Sequence, residues 1–152
     1  GGITGGSTTH TESLKDVIKE EMLTKPEQAK EFVKKTKVDS LAISIGNAHG
    51  LWKEAKQLDF DRLKAIKATT GKFLVLHGGS GTVMDDYRKA IELGINKINI
   101  NTDVRVAFAS SLLKGVTSRK DDVPYNYLGD VSKAVAKVVE DKIIIFKSDN
   151  KI

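Results

Sequence analysis

Two histidines stand in matching contexts. His49 follows Gly46-Asn47-Ala48 and precedes Gly50, while His77 opens His77-Gly78-Gly79-Ser80-Gly81. Each comes directly after a short apolar run, residues 41–45 before the first cluster and residues 73–76 before the second. Neighbouring strands lie about 4.8 Å apart. Two imidazoles at such strand ends can therefore both approach one zinc ion at about 2.0–2.1 Å. A catalytic zinc usually has three protein ligands and one open position. Two histidines fall short of that number and match no zinc spacing, so each can equally be a strand-end residue that only hydrogen-bonds backbone. The third histidine, His10, lies in a polar segment from Thr8 to Ser13 that nothing anchors, and it reads as exposed.

The stretch His77-Gly78-Gly79-Ser80-Gly81 also suits an anion. Glycines let backbone N–H groups come close to a phosphate, and Ser80 adds a hydroxyl donor. Thr102 stands at a predicted helix start, where unpaired N–H groups and the helix dipole favour negative charge. An ordinary tight turn and a plain helix cap explain both features equally well. Asn99 and Asn101 alternate with apolar residues, so one of them faces the strand-end mouth, and a buried amide there needs a partner such as a substrate hydroxyl or carbonyl.

The elements that must position these residues are legible as periodicity. Residues 41–45, 73–76 and 97–100 read as buried parallel strands. Thr24 with Glu27 forms a capping-box pattern, with Pro26 in the first turn, and predicts a helix to Val33. Asp59 caps a second helix to Ala68. Asp85 or Asp86 caps a third, ending at Leu93 with Gly94 as the stop. Thr102 or Asp103 starts a fourth to Leu113, and the last helix runs from Asp130 to Phe146 on the 3.6 period of Val131, Ala134, Val135, Val138 and Val139. Residues 115–129 read as a surface loop and residues 1–13 as a mobile loop remnant. Strands that alternate with helices over short links predict an α/β fold with a parallel sheet, open or closed. In such folds ligands bind at the C-terminal ends of strands, so three consecutive polar strand ends describe one site.

Composition narrows the classes. The 152 residues are 39% hydrophobic and 30% charged, with a formal net charge of +5 and no cysteine. No apolar run approaches the ~20 residues of a membrane span, and the start lacks the basic and apolar regions of a signal peptide. The missing cysteines exclude disulfides and thiolate metal sites and make a cytoplasmic location the expectation. The positive balance fits an anionic small molecule. Lysines such as Lys15, Lys19, Lys30, Lys34, Lys35, Lys64, Lys67, Lys133 and Lys137 are spread over helical segments without interleaved aromatics, so neither nucleic acid nor membrane is expected as a partner.

At the three strand ends the sequence resembles the class II (zinc-dependent) fructose- or tagatose-bisphosphate aldolases. Val38-Asp39-Ser40-Leu41-Ala42-Ile43-Ser44-Ile45-Gly46-Asn47-Ala48-His49-Gly50 is similar to their sixth strand and loop. Phe73-Leu74-Val75-Leu76-His77-Gly78-Gly79-Ser80-Gly81 is similar to the seventh, and the stretch from Ala90 through Asn99-Ile100-Asn101-Thr102-Asp103 to the eighth. Tyr127-Leu128-Gly129 and Phe146-Lys147-Ser148 resemble the C-terminal helix region. The resemblance implies a (β/α)₈ TIM barrel, of which residues 1–152 are about the C-terminal half, a barrel needing roughly 200 residues or more.

It further implies that His49 and His77 are two of three zinc ligands. Gly50, Gly78, Ser80, Asn101 and Thr102 would hold the phosphate of the dihydroxyacetone-phosphate moiety, Asn99 would touch the enediolate, and Arg105 would reach the second phosphate, across a dimer. A monovalent cation (Na+ or K+) is expected near the His49–Gly50 and His77–Gly78 backbone, and a homodimer or homotetramer as the assembly. The implied reaction is reversible cleavage of a ketose 1,6-bisphosphate, fructose 1,6-bisphosphate foremost, to dihydroxyacetone phosphate and glyceraldehyde 3-phosphate. The family's third zinc histidine and its acid/base aspartate belong to earlier strands, so no catalytic acid or base is assigned here. Thr8 stands where the family's loop glutamate is expected, and a threonine cannot serve as a general base near neutral pH. The chain alone is therefore expected to be inactive. The alternatives are a non-catalytic fragment or degenerate homologue that only binds phosphate, and another phosphate-binding barrel enzyme such as an isomerase.

Overall fold

The computed structural model describes residues 13, 17–53, 56–118 and 123–151. Thr8 and His10, and with them the expected loop remnant up to residue 12, lie outside the described residues. The chain divides into two compact units, Gly1–Ile100 and Asn101–Ile152.

The first unit carries a parallel sheet in the order β1 (Ser40–Ile43), β2 (Phe73–Leu76) and β3 (Ile95–Ile98). Helix α1 (Pro26–Thr36) precedes β1, α2 (Phe60–Thr70) links β1 to β2, and α3 (Met84–Glu92) links β2 to β3. This is the βαβ succession that parallel strands require. Register places Ile43 beside Leu76 and Leu76 beside Ile98, so the three strand ends are level. Ile43, Ile45, Leu74, Leu76 and Ile95 pack with Ala29, Leu58, Leu63, Ile66 and Ala90 into one buried cluster. α1 and α2 pack against each other.

β2 has the expected boundaries, but its neighbours end two residues earlier than their apolar runs predict. At β1 the cause is side-chain competition for backbone. Beyond Ile43, the Ser44 N–H donates to Thr24 Oγ1 at 2.8 Å and the Ile45 N–H to Asn47 Oδ1 at 2.7 Å. The Ile45 carbonyl accepts from the Asp59 N–H at 2.7 Å. At β3, the Leu74 N–H donates to Asn96 Oδ1 at 3.1 Å, and a register shift lets the strand begin at Ile95. The capping box is also not formed. Lys25 is the N-cap of α1 without a side-chain bond, because the Thr24 hydroxyl is spent on β1. Asp59 does cap α2, accepting from the Arg62 N–H at 2.8 Å. Val83, not an aspartate, precedes α3, with Asp85 and Asp86 inside its first turn.

The second unit is a helix pair, α4 (Thr102–Ser118) packed against α5 (Tyr125–Ile145). Both are longer than expected, and most of the predicted 115–129 loop is helical. A Cβ on Gly115 would meet the Tyr127 side chain at 2.8 Å, so the glycine that read as a breaker permits the close approach of the pair. Gly129 lies within α5 at a site open around its Cα; a helical glycine costs only about 1 kcal/mol, which the packed pair tolerates. Lys142 and Asp103 form an ion pair at 2.8 Å across it, with side chains less than a fifth exposed. Among the described residues no helix is long and apolar enough to cross a membrane.

Candidate functional site

The loops after β1 and β2 place His49 and His77 side by side. Their ring centroids are 6.0 Å apart and the planes are tilted by 58°. Both side chains are half-buried. Asn47 holds the two strand ends together. Its amide donates to the Ile43 carbonyl at 3.1 Å and to the His77 carbonyl at 2.9 Å, and its Oδ1 accepts from Ile45. Trp52 Nε1–H donates to the His49 carbonyl at 3.0 Å, fixing the other loop.

Asn99 completes this group from the end of β3. Its Oδ1 accepts from Lys97 Nζ at 2.6 Å, which turns its amide nitrogen to His77, 3.1 Å from Nδ1 and 3.2 Å from Nε2. The two distances are nearly equal, so the amide lies against the ring without singling out either nitrogen. The pKa of His77 is lowered, first by burial, then by the nearby His49 and Lys97. Both effects disfavour the charged form. A neutral imidazole has one ring nitrogen with a free lone pair, the kind of donor that a zinc ion takes. The donor set thus fits part of a zinc site. Among the described residues no group of three or more His, Cys, Asp or Glu converges.

The loop from Gly78 to Ser80 is buried and its carbonyls are tied down. Gly78 O accepts from Lys56 Nζ at 2.7 Å, and Ser80 O accepts from the same ammonium. Gly79 O accepts from Tyr87 Oη–H at 2.6 Å and from the Thr82 N–H at 3.1 Å. In a planar trans peptide the N–H points opposite to the carbonyl, so the tethered carbonyls turn the N–H groups of Gly79, Ser80 and Gly81 the other way. The Gly79 N–H reaches the Asn99 carbonyl at 3.2 Å. Gly78 has φ +60 and lies against the Ala48–His49 backbone, so the two histidine loops touch at this residue.

Of the nine residues singled out from the sequence, His49, Gly50, His77, Gly78, Ser80 and Asn99 lie at the strand ends of the first unit. Asn101, Thr102 and Arg105 belong to the second unit. There Thr102 is buried as the first residue of α4, Asn101 and Arg105 are exposed, and the Arg105 N–H donates to the Asn101 carbonyl at 3.0 Å. Three residues that position the loops are absent from the sequence reading: Asn47, Lys56 and Tyr87. Asn47 sits inside the flagged cluster and was available. Lys56 and Tyr87 lie in stretches whose pattern reads as a solvated loop and a helix face.

The signature of the family described as class-II fructose-bisphosphate aldolase matches residues 1–151. A sulfofructosephosphate aldolase of Alkalicoccus urumqiensis is 41% identical over 138 residues, which are 88% of this chain and 47% of that protein. The crystal structure of the YdjI aldolase of Escherichia coli K12 superposes with a TM-score of 0.73 at 39% identity, over 84% of this chain and 46% of that one. A fructose-bisphosphate aldolase of Campylobacter jejuni shares the fold with a TM-score of 0.70 at 23% identity, over 99% of this chain and 51% of that one. The chain spans about half the length of the relatives it matches. These likenesses establish the described strands and helices as part of an aldolase-type TIM barrel.

Proposed function

The chain belongs to the class-II fructose-bisphosphate aldolase family, and from that premise we propose that its strand ends supply part of a zinc-dependent site for the aldol cleavage of phosphorylated ketoses. The observation that carries the reading is the pair His49 and His77, whose rings stand 6.0 Å apart on adjacent level strand ends. Each imidazole offers one nitrogen, and burial lowers the pKa of His77, which favours the neutral form that ligates. When bound there, zinc supplies Lewis-acid polarisation of the substrate carbonyl. Asn99, turned by Lys97, directs its amide toward the same space and orients the oxygens flanking the bond that breaks. Gly50, Gly78 and Ser80 present backbone N–H groups and a hydroxyl to a phosphate. Thr102 at the start of α4, with Asn101 and Arg105, keeps as a proposal the anion-binding role that the resemblance assigns. The remaining metal ligand and the acid/base group are assigned to other segments of the barrel.

For the substrate we propose a ketose 1,6-bisphosphate, with fructose 1,6-bisphosphate giving dihydroxyacetone phosphate and glyceraldehyde 3-phosphate. A second reading is favoured by one observation: the relative at 41% identity is named for a sulfofructose phosphate. In that reading a sulfonate replaces the phosphate at the far end of the sugar. The test is to assay the zinc-loaded full-length protein with fructose bisphosphate, tagatose bisphosphate and sulfofructose phosphate. Stoichiometric zinc without cleavage of any of the three would sink the proposal.

Ser80 allows a sharper check. It is buried, at 2% exposure. A charge-assisted hydrogen bond is worth about 1.5–3 kcal/mol. Ser80→Ala in the full-length protein is expected to raise KM for the phosphorylated ketose by about tenfold or more, with a smaller change in kcat. An unchanged KM in a folded variant would remove Ser80 from the phosphate site.

A further inference from the structure

We propose that the Lys56 ammonium is a built-in cation beneath the Gly78–Ser80 loop, standing where a Na+ or K+ ion would otherwise sit, and that it frees this protein from a monovalent-cation requirement. The inference rests on the reading of that loop as the phosphate holder.

Lys56 is 1% exposed, although lysine is almost never fully buried unless it is paired. It lies in the segment between β1 and α2, away from the loop in sequence. Yet its Nζ donates to the Gly78 carbonyl at 2.7 Å and to the Ser80 carbonyl. Two carbonyl oxygens from alternate residues of one loop, converging on one positive centre, form the ligand pattern that hard cations take from backbone. An ammonium meets the same oxygens by hydrogen bonds. The expected Na+ or K+ site does not fit beside it. The carbonyls of Gly78 and Ser80 are already committed, and two positive charges in one buried space repel.

The ammonium does two things that such an ion would do. It fixes the Gly78–Gly79 and Ser80–Gly81 peptides with their carbonyls toward Lys56 and their N–H groups away from it. It also places a fixed positive charge under the loop, where low exposure limits screening, and so favours an anion on the other side. The Gly79 carbonyl is held separately by Tyr87, so the loop is clamped at each of its three peptides. A side chain covalently attached to the fold cannot be diluted away, which distinguishes it from an exchangeable ion.

The test measures cation dependence in the zinc-loaded full-length protein at constant ionic strength, with tetramethylammonium replaced by K+ or Na+. The wild-type Kd for inorganic phosphate and its ligand-free thermal midpoint are expected not to respond to the exchange. Lys56→Met, which keeps the stem but removes the charge, is expected to bind phosphate about tenfold more weakly in tetramethylammonium. K+ or Na+ should restore most of that loss and raise the thermal midpoint of the variant. A wild-type Kd that improves about tenfold with K+ or Na+ overturns the proposal, as does a Lys56→Met that matches wild type or is not restored by either ion. Should Lys56→Met fail to fold, the wild-type arm and Lys56→Arg, expected to remain cation-independent, decide the matter. Wild-type protein that binds no phosphate in any salt would sink the phosphate-loop reading instead, while the ligand-free midpoints still report on Lys56.

Discussion

Alanine at either His49 or His77 in the full-length protein is expected to remove most bound zinc and to lower kcat/KM by about 10³-fold or more, since Lewis-acid stabilisation of the transition state is worth several kcal/mol. Each ring contributes one nitrogen, and the two rings stand 6.0 Å apart. Among the described residues no cluster of three potential ligands offers a substitute. The fold should survive. Asn99 loses its contact with the ring in His77→Ala, but its Oδ1 keeps Lys97. The Asn47 bridge to residue 77 uses the main-chain carbonyl, which alanine retains. The expected stability cost is therefore about 1–3 kcal/mol, the range for one partly buried polar group left unpaired. Metal analysis of the dialysed variants, with circular dichroism as the check on folding, measures the first effect. Stoichiometric zinc in the double variant would sink the assignment.

How much of this was legible in the sequence depended on whether the signal was local. β2 matched its apolar run at both ends. β1 did not, because Thr24 and Asn47 take the N–H groups of Ser44 and Ile45, and β3 begins early where the register shifts between Leu74 and Val75. A hydrophobic run reports burial, and Ile45 is indeed fully buried, but burial outlasts the ladder by two residues. α5 began before Asp130 because Gly129, read as a loop residue, is tolerated within a helix that has a packed partner. His49, His77 and the glycine-rich loop stood out as polar clusters after apolar runs, a weak signal that the resemblance to the aldolases made specific. Lys56 was not visible. A lysine in a polar connection is ordinarily solvated, and only the fold brings it to the carbonyls of residues 22 and 24 positions further on.

Gly78→Ala is expected to be strongly damaging to the first unit. Gly78 has φ +60, and a Cβ there would lie 2.5 Å from both the carbonyl carbon and oxygen of Ala48 and 2.9 Å from the His49 nitrogen. These are backbone atoms of the adjacent strand end, so no rotamer change relieves the overlap. The β1 and β2 loops would have to separate, and that separation pulls on both histidines and on the Lys56 contact to Gly78. Gly71 supplies the control. It has φ +62, but a Cβ there meets nothing within 4 Å. Gly71→Ala should thus show only the left-handed backbone penalty, about 1 kcal/mol. Gly78→Ala adds overpacking against rigid atoms, about 1–3 kcal/mol or more, and should also lose zinc and phosphate affinity together. Denaturant unfolding of the two full-length variants separates the contributions, since the backbone penalty is common to both. Equal destabilisation by the two substitutions would mean that the loops do not touch at Gly78, and that the histidines are held at their spacing by Asn47 alone.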